Sequence, residues 1–338
     1  MAAVPVSTIA ALVVTAFGGP RLRACLQSLA AQRRPPDRVL VAIARPTGVA
    51  LDPGVASVRT AQAEGFAPTA NLGLRALGPG CAVLLLNDDT VCDPELVARL
   101  GAAAEAHGEG IYQPRILLDD GSGQVDNTGH RLFFDGFNLA RERGLPAAEG
   151  RAPPCGELGA FSGAAALLTP ELLRETGGFD ADFGAFGEDL DLSLRARRLG
   201  YRVRFVEGAL VHHALGASYG RGGLTKSYWV ERNRLRAAMR SLPTSALITM
   251  PIWTTARLTA LGMSAAIGRG IGAQAGPLGA IGALAGGAAG LLDLPGAWAK
   301  RRADQPAWRA PDREMWGHLL RHHVRPEDLL RRPARRPA

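Results

Sequence analysis

The sequence predicts an α/β fold with a largely parallel sheet, and three features of its first 240 residues indicate this. Short apolar runs with β-branched residues, such as 9–15, are typical of buried strands. Segments with helical apolar spacing follow such runs, beginning at Leu22. Helix-start signals with proline at the first helical position occur at Pro94 and Pro170. Strands that alternate with helices predict a sheet covered by helices, with ligands at the carboxyl ends of its strands.

These patterns place the elements in chain order. The predicted strands are 9–15, 38–43, 82–86 and 201–206, and the predicted helices begin near 22, 94, 170 and 188. Pro35-Pro36 ends the first helix, because proline cannot continue the helical hydrogen bonds. Gly177-Gly178 and Gly200 are stop signals for the third and fourth helices.

Composition divides the chain into three parts. Residues 1–242 are predicted to form the α/β domain, residues 243–300 an apolar, Gly/Ala-rich helical region, and residues 301–338 a basic, partly disordered tail. Residues 270–292 carry no charge over 23 positions, which is long enough to span a bilayer, but they include eight glycines. The sequence therefore predicts helices that lie in the membrane interface. A helical pair packed on the main domain and a spanning helix are the alternatives.

The net charge of +8 is concentrated at the end of the chain, where residues 300–338 carry +6. The run 331–336 lacks the interleaved aromatic residues typical of proteins that bind single strands, so no nucleic-acid partner is expected. A solvated tail, or one attracted to anionic lipid, fits better. The first seven residues lack a basic region and the four cysteines form no CxxC pair, which favours a peripheral location on the cytoplasmic face of the membrane.

The first candidate site is Asn87-Asp88-Asp89, directly after the strand 82–86. Two carboxylates at the carboxyl end of a strand favour a hard divalent cation such as Mg²⁺ or Mn²⁺, which would bridge to a substrate phosphate. The alternative is an ordinary turn rich in Asp and Asn.

The second candidate site is the acidic start of the helix at 188. Helical spacing places Asp189 on the buried side of the first turn, facing a cleft, where the helix N-terminus stabilises its anion while burial raises its pKa. A carboxylate in that position is a candidate general base. Helix capping alone would explain Glu188 and Asp191.

Two weaker signals complete the pattern. His213 follows a predicted strand and is a candidate metal or phosphate ligand, although histidines in such positions are more often structural. Gly65 and Asn71 lie in a glycine-containing turn that leads into a helix, where the backbone could approach a phosphate or a sugar.

In this order, the motifs resemble those of the inverting family 2 glycosyltransferases of the GT-A fold, and within them the bacterial rhamnosyltransferase-like branch. The matching stretches, which cover residues 8 to 240, are Thr15 with the following helix, G-F-A-x-x-x-N-L-G at 65–73, L-L-L-N-D-D-T at 84–90, G-G-F-D at 177–180, G-E-D-L-D-L-S-L-R at 187–195, G-Y at 200–201 and H-x-x-G-x-S at 213–218.

The resemblance implies a role for each matching residue. Asp89 and His213 would bind the metal, and Asp189 would be the catalytic base, with Glu188 and Asp191 orienting the acceptor or the base. Thr15, Gly65, Asn71, Asn87 and Asp88 would contact the donor. The implied activity is transfer of a hexose or deoxyhexose, such as rhamnose, from a nucleotide-diphospho-sugar to a lipid-linked or polysaccharide acceptor in cell-wall or polysaccharide synthesis.

The sequence departs from the family after the second strand. Ile43-Ala44-Arg45-Pro46 stands where the family has an acidic element that reads the nucleotide, and the next acid is Asp52. Asp52 or backbone groups would have to replace that acceptor, or donor binding is altered. A non-catalytic GT-A-like scaffold that binds membrane or protein partners is therefore the alternative function, with a nucleic-acid-associated protein as a third.

Overall fold

The computed structural model describes residues 8–149, 156–214, 223–268, 270–325 and 328–329. The strands are β1 (Ile9–Thr15), β2 (Arg38–Ile43), β3 (Ser57–Arg59), β4 (Ala82–Asn87), β5 (Thr90–Cys92), β6 (Gly110–Leu118), β7 (Val125–Asn127), β8 (His130–Leu132), β9 (Asn138–Ala140), β10 (Ala165–Leu168) and β11 (Arg202–His213). The helices are α1 (Pro20–Ala30), α2 (Phe66–Leu77), α3 (Leu96–His107), α4 (Pro170–Thr176), α5 (Glu188–Arg198), α6 (Leu224–Ser241), α7 (Thr244–Ala266), α8 (Gly270–Leu292), α9 (Leu294–Asp304) and α10 (Asp312–Arg321).

Most of these strands belong to one mixed sheet, with the order β3-β2-β1-β4-β10-β6-β11-β5 and with β7 paired to the end of β6. The strands β3, β2, β1 and β4 run parallel to one another. β10 is antiparallel to both β4 and β6, and so joins this parallel half to the pair of parallel strands β6 and β11. The carboxyl ends of β1, β2 and β4 therefore meet at one edge, where ligands of α/β sheets bind.

The core lies on both faces of the sheet. Alternate residues of β1 point to opposite faces, so that Ile9, Ala11 and Val13 join one apolar cluster while Ala10, Leu12 and Val14 join the other. Helices α1 and α3 cover the first face, and α2, α4 and α5 cover the second. The α/β class predicted from the strand and helix patterns is confirmed, and the two helical layers leave the strand ends free to form a site.

Helix α8 packs against α6 through a stripe of glycines, which explains why residues 270–292 contain so many of them. A Cβ at Gly282 would lie 2.1 Å from the carbonyl oxygen of Leu224, and one at Gly286 would lie 2.1 Å from that of Tyr228. Only glycine permits such close contact between two helix backbones. The face of α8 opposite this stripe is consequently left to large aliphatic side chains.

Part of the region 301–338 forms a packed helix. Met315, His318 and Leu319 of α10 are buried. The buried guanidinium of Arg198 donates to the Ala310 carbonyl at 3.1 Å and to the Asp312 carboxylate at 2.7 Å. A few apolar residues at helical spacing and one buried arginine thus anchor residues 310–321 to the α/β domain. The basic run 331–336 lies outside the described residues.

The predicted boundary at 242 falls between two helices, since α6 ends at Ser241 and α7 begins at Thr244. Ala246 and Met250 of α7 nevertheless share one apolar cluster with Leu190 of α5. The helical region that follows the boundary therefore packs directly on the α/β domain.

Candidate active site

The acidic turn after β4 lies beside the end of β1. The side-chain hydroxyl of Thr15 donates to the Asp88 carboxylate, and the backbone N–H of Asp88 donates to the Val14 carbonyl at 3.2 Å. Burial raises the pKa of Asp88, an effect that the Thr15 hydrogen bond opposes and the neighbouring charge of Asp89 reinforces. The predicted donor residue Thr15 thus supports the acidic turn, and Asn87 ends β4 immediately before it.

Asp89 and His213 come together because β5 pairs antiparallel with the end of β11, which places His213 opposite Thr90. The Nε2 atom of His213 lies 3.2 Å from an Asp89 carboxylate oxygen, and its Nδ1 atom lies 3.0 Å from Oδ2 of Asp126. Burial works against the charged ring, but the hydrogen bonds to Asp126 and Asp89 raise the pKa of His213 to about 9. Burial likewise opposes ionisation of Asp89, yet the hydrogen bond and charge of His213 hold its pKa below the usual value.

This arrangement fits a divalent cation. Ligands at right angles around an ion with bonds of about 2.1 Å stand about 3 Å apart, close to the 3.2 Å between His213 Nε2 and Asp89. A histidine that ligates a metal usually donates its other ring N–H to a carboxylate, and Asp126 is that partner for His213. Asp126 is itself buried and lies 3.3 Å from the guanidinium of Arg143. Asp89 and His213 are therefore suited to hold Mn²⁺ or Mg²⁺, with Asp88 adjacent.

The second carboxylate site is at the N-terminus of α5. Backbone N–H groups of Gly163 and Leu190 donate to the two oxygens of Asp189 at 3.0 and 2.8 Å. Asp189 is half-buried, whereas Glu188 beside it is buried, with one carboxylate oxygen that has no hydrogen-bond partner among the described residues. Burial and, secondly, the charge of Asp189 raise the pKa of Glu188 to about 8.

A short segment before β10 connects the two sites. The backbone N–H of Asn87 donates to the Ala164 carbonyl at 3.0 Å. The backbone N–H of Gly163, the residue before Ala164, donates to the Asp189 carboxylate. His130 interacts electrostatically with both sites. Burial lowers the pKa of His130, whereas the charges of Asp189 and Asp126 raise it. The Asp89–His213 pair and the Asp189 carboxylate are thus linked through Gly163 and Ala164.

The loop that leads into α5 has an unusual backbone that a distant amide supports. Phe186 has φ 65° in the left-handed region, which is costly for a bulky residue and typical of functional sites. The buried side-chain amide of Asn233 lies within 2.6–3.0 Å of the carbonyl oxygens of Phe183, Ala185 and Phe186. Asn233 therefore fixes the loop that presents Glu188 and Asp189.

Three predicted site residues have structural contacts instead. Both amide atoms of Asn71 bond the backbone of Phe179, at 2.7 and 2.9 Å. A Cβ at Gly65 would lie 2.4 Å from the Gly184 carbonyl oxygen, so glycine is required there by backbone packing. Asp191 is fully buried and pairs with Arg195 at 2.7 Å. These contacts account for the three residues without a ligand.

The atypical segment after β2 presents a cation and an aromatic ring. The Arg45 guanidinium carbon lies 4.3 Å from the centre of the Phe17 ring, which is 48% exposed at the end of β1. Asp52, the first acid after this segment, forms an exposed ion pair with Arg23 at 3.3 Å. The carboxyl ends of β1 and β2 therefore offer a stacking surface rather than a carboxylate.

Sequence reasoning missed Asp126, His130 and Asn233. Asp126 and His130 follow no long apolar run, because β7 and β8 have three residues each. Asn233 lies in a helix whose pattern gives no sign that its amide faces a loop 50 residues earlier. Of the predicted motif at 213–218, Gly216 and Ser218 lie outside the described residues.

Comparisons with known proteins identify a family and several similar structures. The family described as glycosyl transferase family group 2 matches residues 82–260. The crystal structure of GalNAc-T7 with UDP, GalNAc and Mn²⁺ is similar over 93% of this chain and 56% of that chain, with a TM-score of 0.60 and 14% identity. Other similar structures are the mannosyltransferase PcManGT from Pyrobaculum calidifontis with GDP-Man and Mn²⁺ (TM-score 0.48, 17% identity, 92% of this chain and 86% of that chain) and S. aureus TarS 1-349 with UDP-GlcNAc (TM-score 0.47, 14% identity, 69% and 67%).

A comparison with curated proteins finds no match. The likeness to GalNAc-T7 at 14% identity shows a shared fold, the GT-A fold that the motifs implied. This chain spans about half of the length of that protein, 56% of it.

Proposed function

Because the chain belongs to glycosyl transferase family group 2, we propose that it transfers a sugar from a nucleotide-diphospho-sugar to an acceptor hydroxyl with inversion at the anomeric carbon. The observation that carries this proposal is the pairing of Asp89 with His213, linked through residues 163–164 to the Asp189 carboxylate. One base is sufficient for a single displacement.

The acceptor hydroxyl would bind at Asp189. Its oxygen attacks the anomeric carbon and forms the new glycosidic bond, its proton passes to the Asp189 carboxylate, and the bond to the nucleotide diphosphate breaks with both electrons on the leaving oxygen. Two backbone N–H groups, that of Gly163 before β10 and that of Leu190 in the first turn of α5, orient Asp189 for this role. Glu188 keeps its proton near neutral pH, since burial and the charge of Asp189 raise its pKa, and can donate a hydrogen bond to the acceptor.

The leaving group would be bound at the acidic turn. A divalent cation, Mn²⁺ or Mg²⁺, held by Asp89 and His213 would neutralise the charge of the departing diphosphate. Asp126 holds the His213 ring so that Nε2 faces Asp89, and Thr15 holds Asp88 beside it. The family and the donor set at Asp89 and His213 support this metal dependence.

Phe17 and Arg45 would bind the nucleotide. They lie at the ends of β1 and β2, where the resemblance implies the nucleotide site, and the half-exposed ring offers a face on which a base can stack. Asp52 is paired with Arg23 and is not needed in this scheme. The donor would thus be bound by stacking in place of the acidic element that the sequence lacks.

The protein would lie on a membrane through a surface that we call the apolar face. It consists of large apolar side chains on α7, α8 and α9 that are 41–83% exposed: Ile248, Ile252, Leu258, Met263, Leu278, Ile281, Leu284, Leu291, Leu292 and Trp298. Exposed apolar surface of this extent is typical of membrane or protein contacts.

Helix α8 contains the stretch that could cross a membrane by length and composition in the described part of the chain, Ala275–Leu292, with a mean hydropathy of 1.5 and 22% of it buried. Its glycine stripe packs along α6, which carries charged residues such as Arg232 and Arg236. Spanning would draw these charges toward the hydrocarbon core, so we favour an interfacial position. This position favours a lipid-linked acceptor, or a polysaccharide at the membrane. The transferred sugar would be a hexose or deoxyhexose such as rhamnose, as the resemblance of the motifs implies.

The proposal is tested with Asp189→Asn, assayed for sugar transfer and for Mn²⁺-dependent binding of UDP-, GDP- and dTDP-sugars. The variant should lose turnover by at least about a hundredfold, in line with loss of a general base, and should bind the donor like the wild type. Asp52→Asn, the matched control at an exposed carboxylate, should keep both properties. Wild-type protein that binds no nucleotide with Mn²⁺ present would favour the non-catalytic scaffold, and equal loss of binding and turnover would remove Asp189 from the base role.

A further inference from the structure

A second cluster of metal-ligand side chains lies outside the catalytic cleft, where α10 meets the α/β domain. Glu157, in the segment before β10, and His318 and His322, at the end of α10, each direct one ligand atom to the same point. These three atoms lie within 4.8 Å of one another. We refer to these residues as the α10 cluster.

The three atoms are buried and lack hydrogen bonds. Oε1 of Glu157, Nδ1 of His318 and Nε2 of His322 have no hydrogen-bond partner within the described parts of the chain. His318 is 1% exposed, so water cannot solvate its ring freely. Buried polar atoms without partners are rare because each costs on the order of 1–3 kcal/mol. Three such atoms at one point indicate that a group bound there would satisfy them together.

The hydrogen bond on the other side of His318 fixes its tautomer. Nε2 lies 2.9 Å from the Gly159 carbonyl oxygen, which can only accept, so Nε2 carries the hydrogen. Nδ1 is then the ring atom that faces Oε1 of Glu157, at 3.5 Å. A proton on Nδ1 would make this contact an ion pair, whereas a metal ion between the two atoms would accept a lone pair from each.

The other oxygen of Glu157 is already bound. Arg202 donates to Oε2 at 2.6 Å, and Arg321 lies 3.9 Å from the same oxygen. This orientation leaves Oε1 directed toward the two histidines, although Arg197 stands 3.7 Å from it. Both the Glu157 carboxylate and the His318 ring therefore have an outer partner that orients the free ligand atom, as is usual at metal sites.

We propose that the α10 cluster binds one divalent transition-metal ion of the zinc type through Glu157, His318 and His322. Two imidazole nitrogens and one carboxylate oxygen form a ligand set that zinc prefers. Ligands around a tetrahedral zinc stand about 3.3 Å apart, and the observed separation of Glu157 Oε1 and His318 Nδ1 is 3.5 Å. The site goes beyond the proposed transferase activity and uses none of its residues.

Glu157 also connects the cluster to the protein surface. It lines a polar surface cavity of about 380 Å³, together with Glu314, Gly317 and four arginines, Arg197, Arg202, Arg313 and Arg321. A water from this cavity would complete the coordination of the ion. Because His318 and His322 belong to α10 and Glu157 to the α/β domain, a bound ion would connect the two and stabilise the docked helix.

The experiment uses the full-length protein, freed of metal with a chelator, and titrates it with Co²⁺ and with Zn²⁺. Tetrahedral Co²⁺ absorbs visible light far more strongly than the six-coordinate, oxygen-rich ion expected at Asp89, so its spectrum distinguishes the two sites. We expect the tetrahedral spectrum and a Zn²⁺-dependent rise in Tm in the wild type and in Asp89→Ala. His322→Ala should lose both, with affinity for Zn²⁺ reduced by more than about tenfold.

His107→Ala is the matched control, because His107 is an exposed histidine at the end of α3. It should leave the spectrum and the Tm response unchanged. A wild type without the tetrahedral spectrum, or a folded His322→Ala that retains it, would overturn the proposal and would identify Glu157 and His318 as an ordinary ion pair. If His322→Ala does not fold, the wild-type and Asp89→Ala spectra decide, and neither outcome bears on the transferase proposal.

Discussion

The double substitution Ile252→Ala and Leu284→Ala removes two well-exposed side chains from the apolar face, and the structure sets the size of its effect. Ile252 is 69% exposed and Leu284 is 72% exposed, so most of each side chain is available to enter lipid. Moving a whole Ile or Leu side chain out of water is favourable by about 1.5–3 kcal/mol. For the exposed parts of the two side chains together, after subtraction of the contribution of the alanine methyl groups, the free energy of membrane binding changes by about 2–3 kcal/mol. This corresponds to a change of about 30- to 150-fold in membrane partitioning.

The assay is flotation with neutral phosphatidylcholine vesicles, on which the basic residues of the chain gain little. The double variant should remain in the soluble fraction at lipid concentrations at which the wild type floats, with an unchanged Tm because both side chains are exposed. Leu145→Ala is the matched control, since Leu145 is 42% exposed but lies outside the apolar face. Equal flotation of the double variant and the wild type would refute the reasoning, as would an equal loss in Leu145→Ala.

Two further predictions concern buried carboxyl groups of the cleft. Asp126→Asn should weaken Mn²⁺ binding by about 10- to 100-fold, measured by calorimetry, because His213 loses the carboxylate that orients it; unchanged affinity would show that the ring does not ligate the ion. Glu188→Gln should become more stable relative to the wild type as the pH rises from about 5 to 8, followed by thermal unfolding. In this range Glu188 ionises in the unfolded chain but keeps its proton in the folded protein, because burial raises its pKa there to about 8. The stability of the wild type therefore falls as the pH rises, whereas that of the variant does not depend on this group. A difference in Tm that stays constant with pH would contradict this.

The parts of the fold that depend on local pattern could be predicted from the sequence. β1 is buried throughout, β4 is an apolar run that is buried over its first five residues, and Pro170 starts α4 as its position indicated. Asp89 and His213 could be placed together only through the ordered motifs, since nothing within either segment reveals the antiparallel pairing of β5 with β11.

The site residues and elements that the sequence does not predict depend on contacts between distant residues, or on patterns that favour two interpretations. Asp126 lies in a three-residue strand and acts through a residue 87 positions later, a separation that no periodicity reveals. The acidic cluster at the start of α5 assigns Asp191 to the site together with Glu188 and Asp189. Its spacing of four residues from Arg195 is, however, typical of an ion pair within a helix. In α10, the net positive charge of the last residues concealed the i, i+4 pair Met315 and Leu319, both of which are buried.

The strand β11 has a consequence for the order in which the chain becomes functional during synthesis. It brings His213 to Asp89 from 124 positions away, and it is also the parallel partner of β6. A nascent chain that lacks β11 cannot close this pairing, and non-local pairings of this kind form late because the intervening loop must first be ordered. Newly made protein would therefore remain without its Asp89–His213 pair until β11 has left the ribosome.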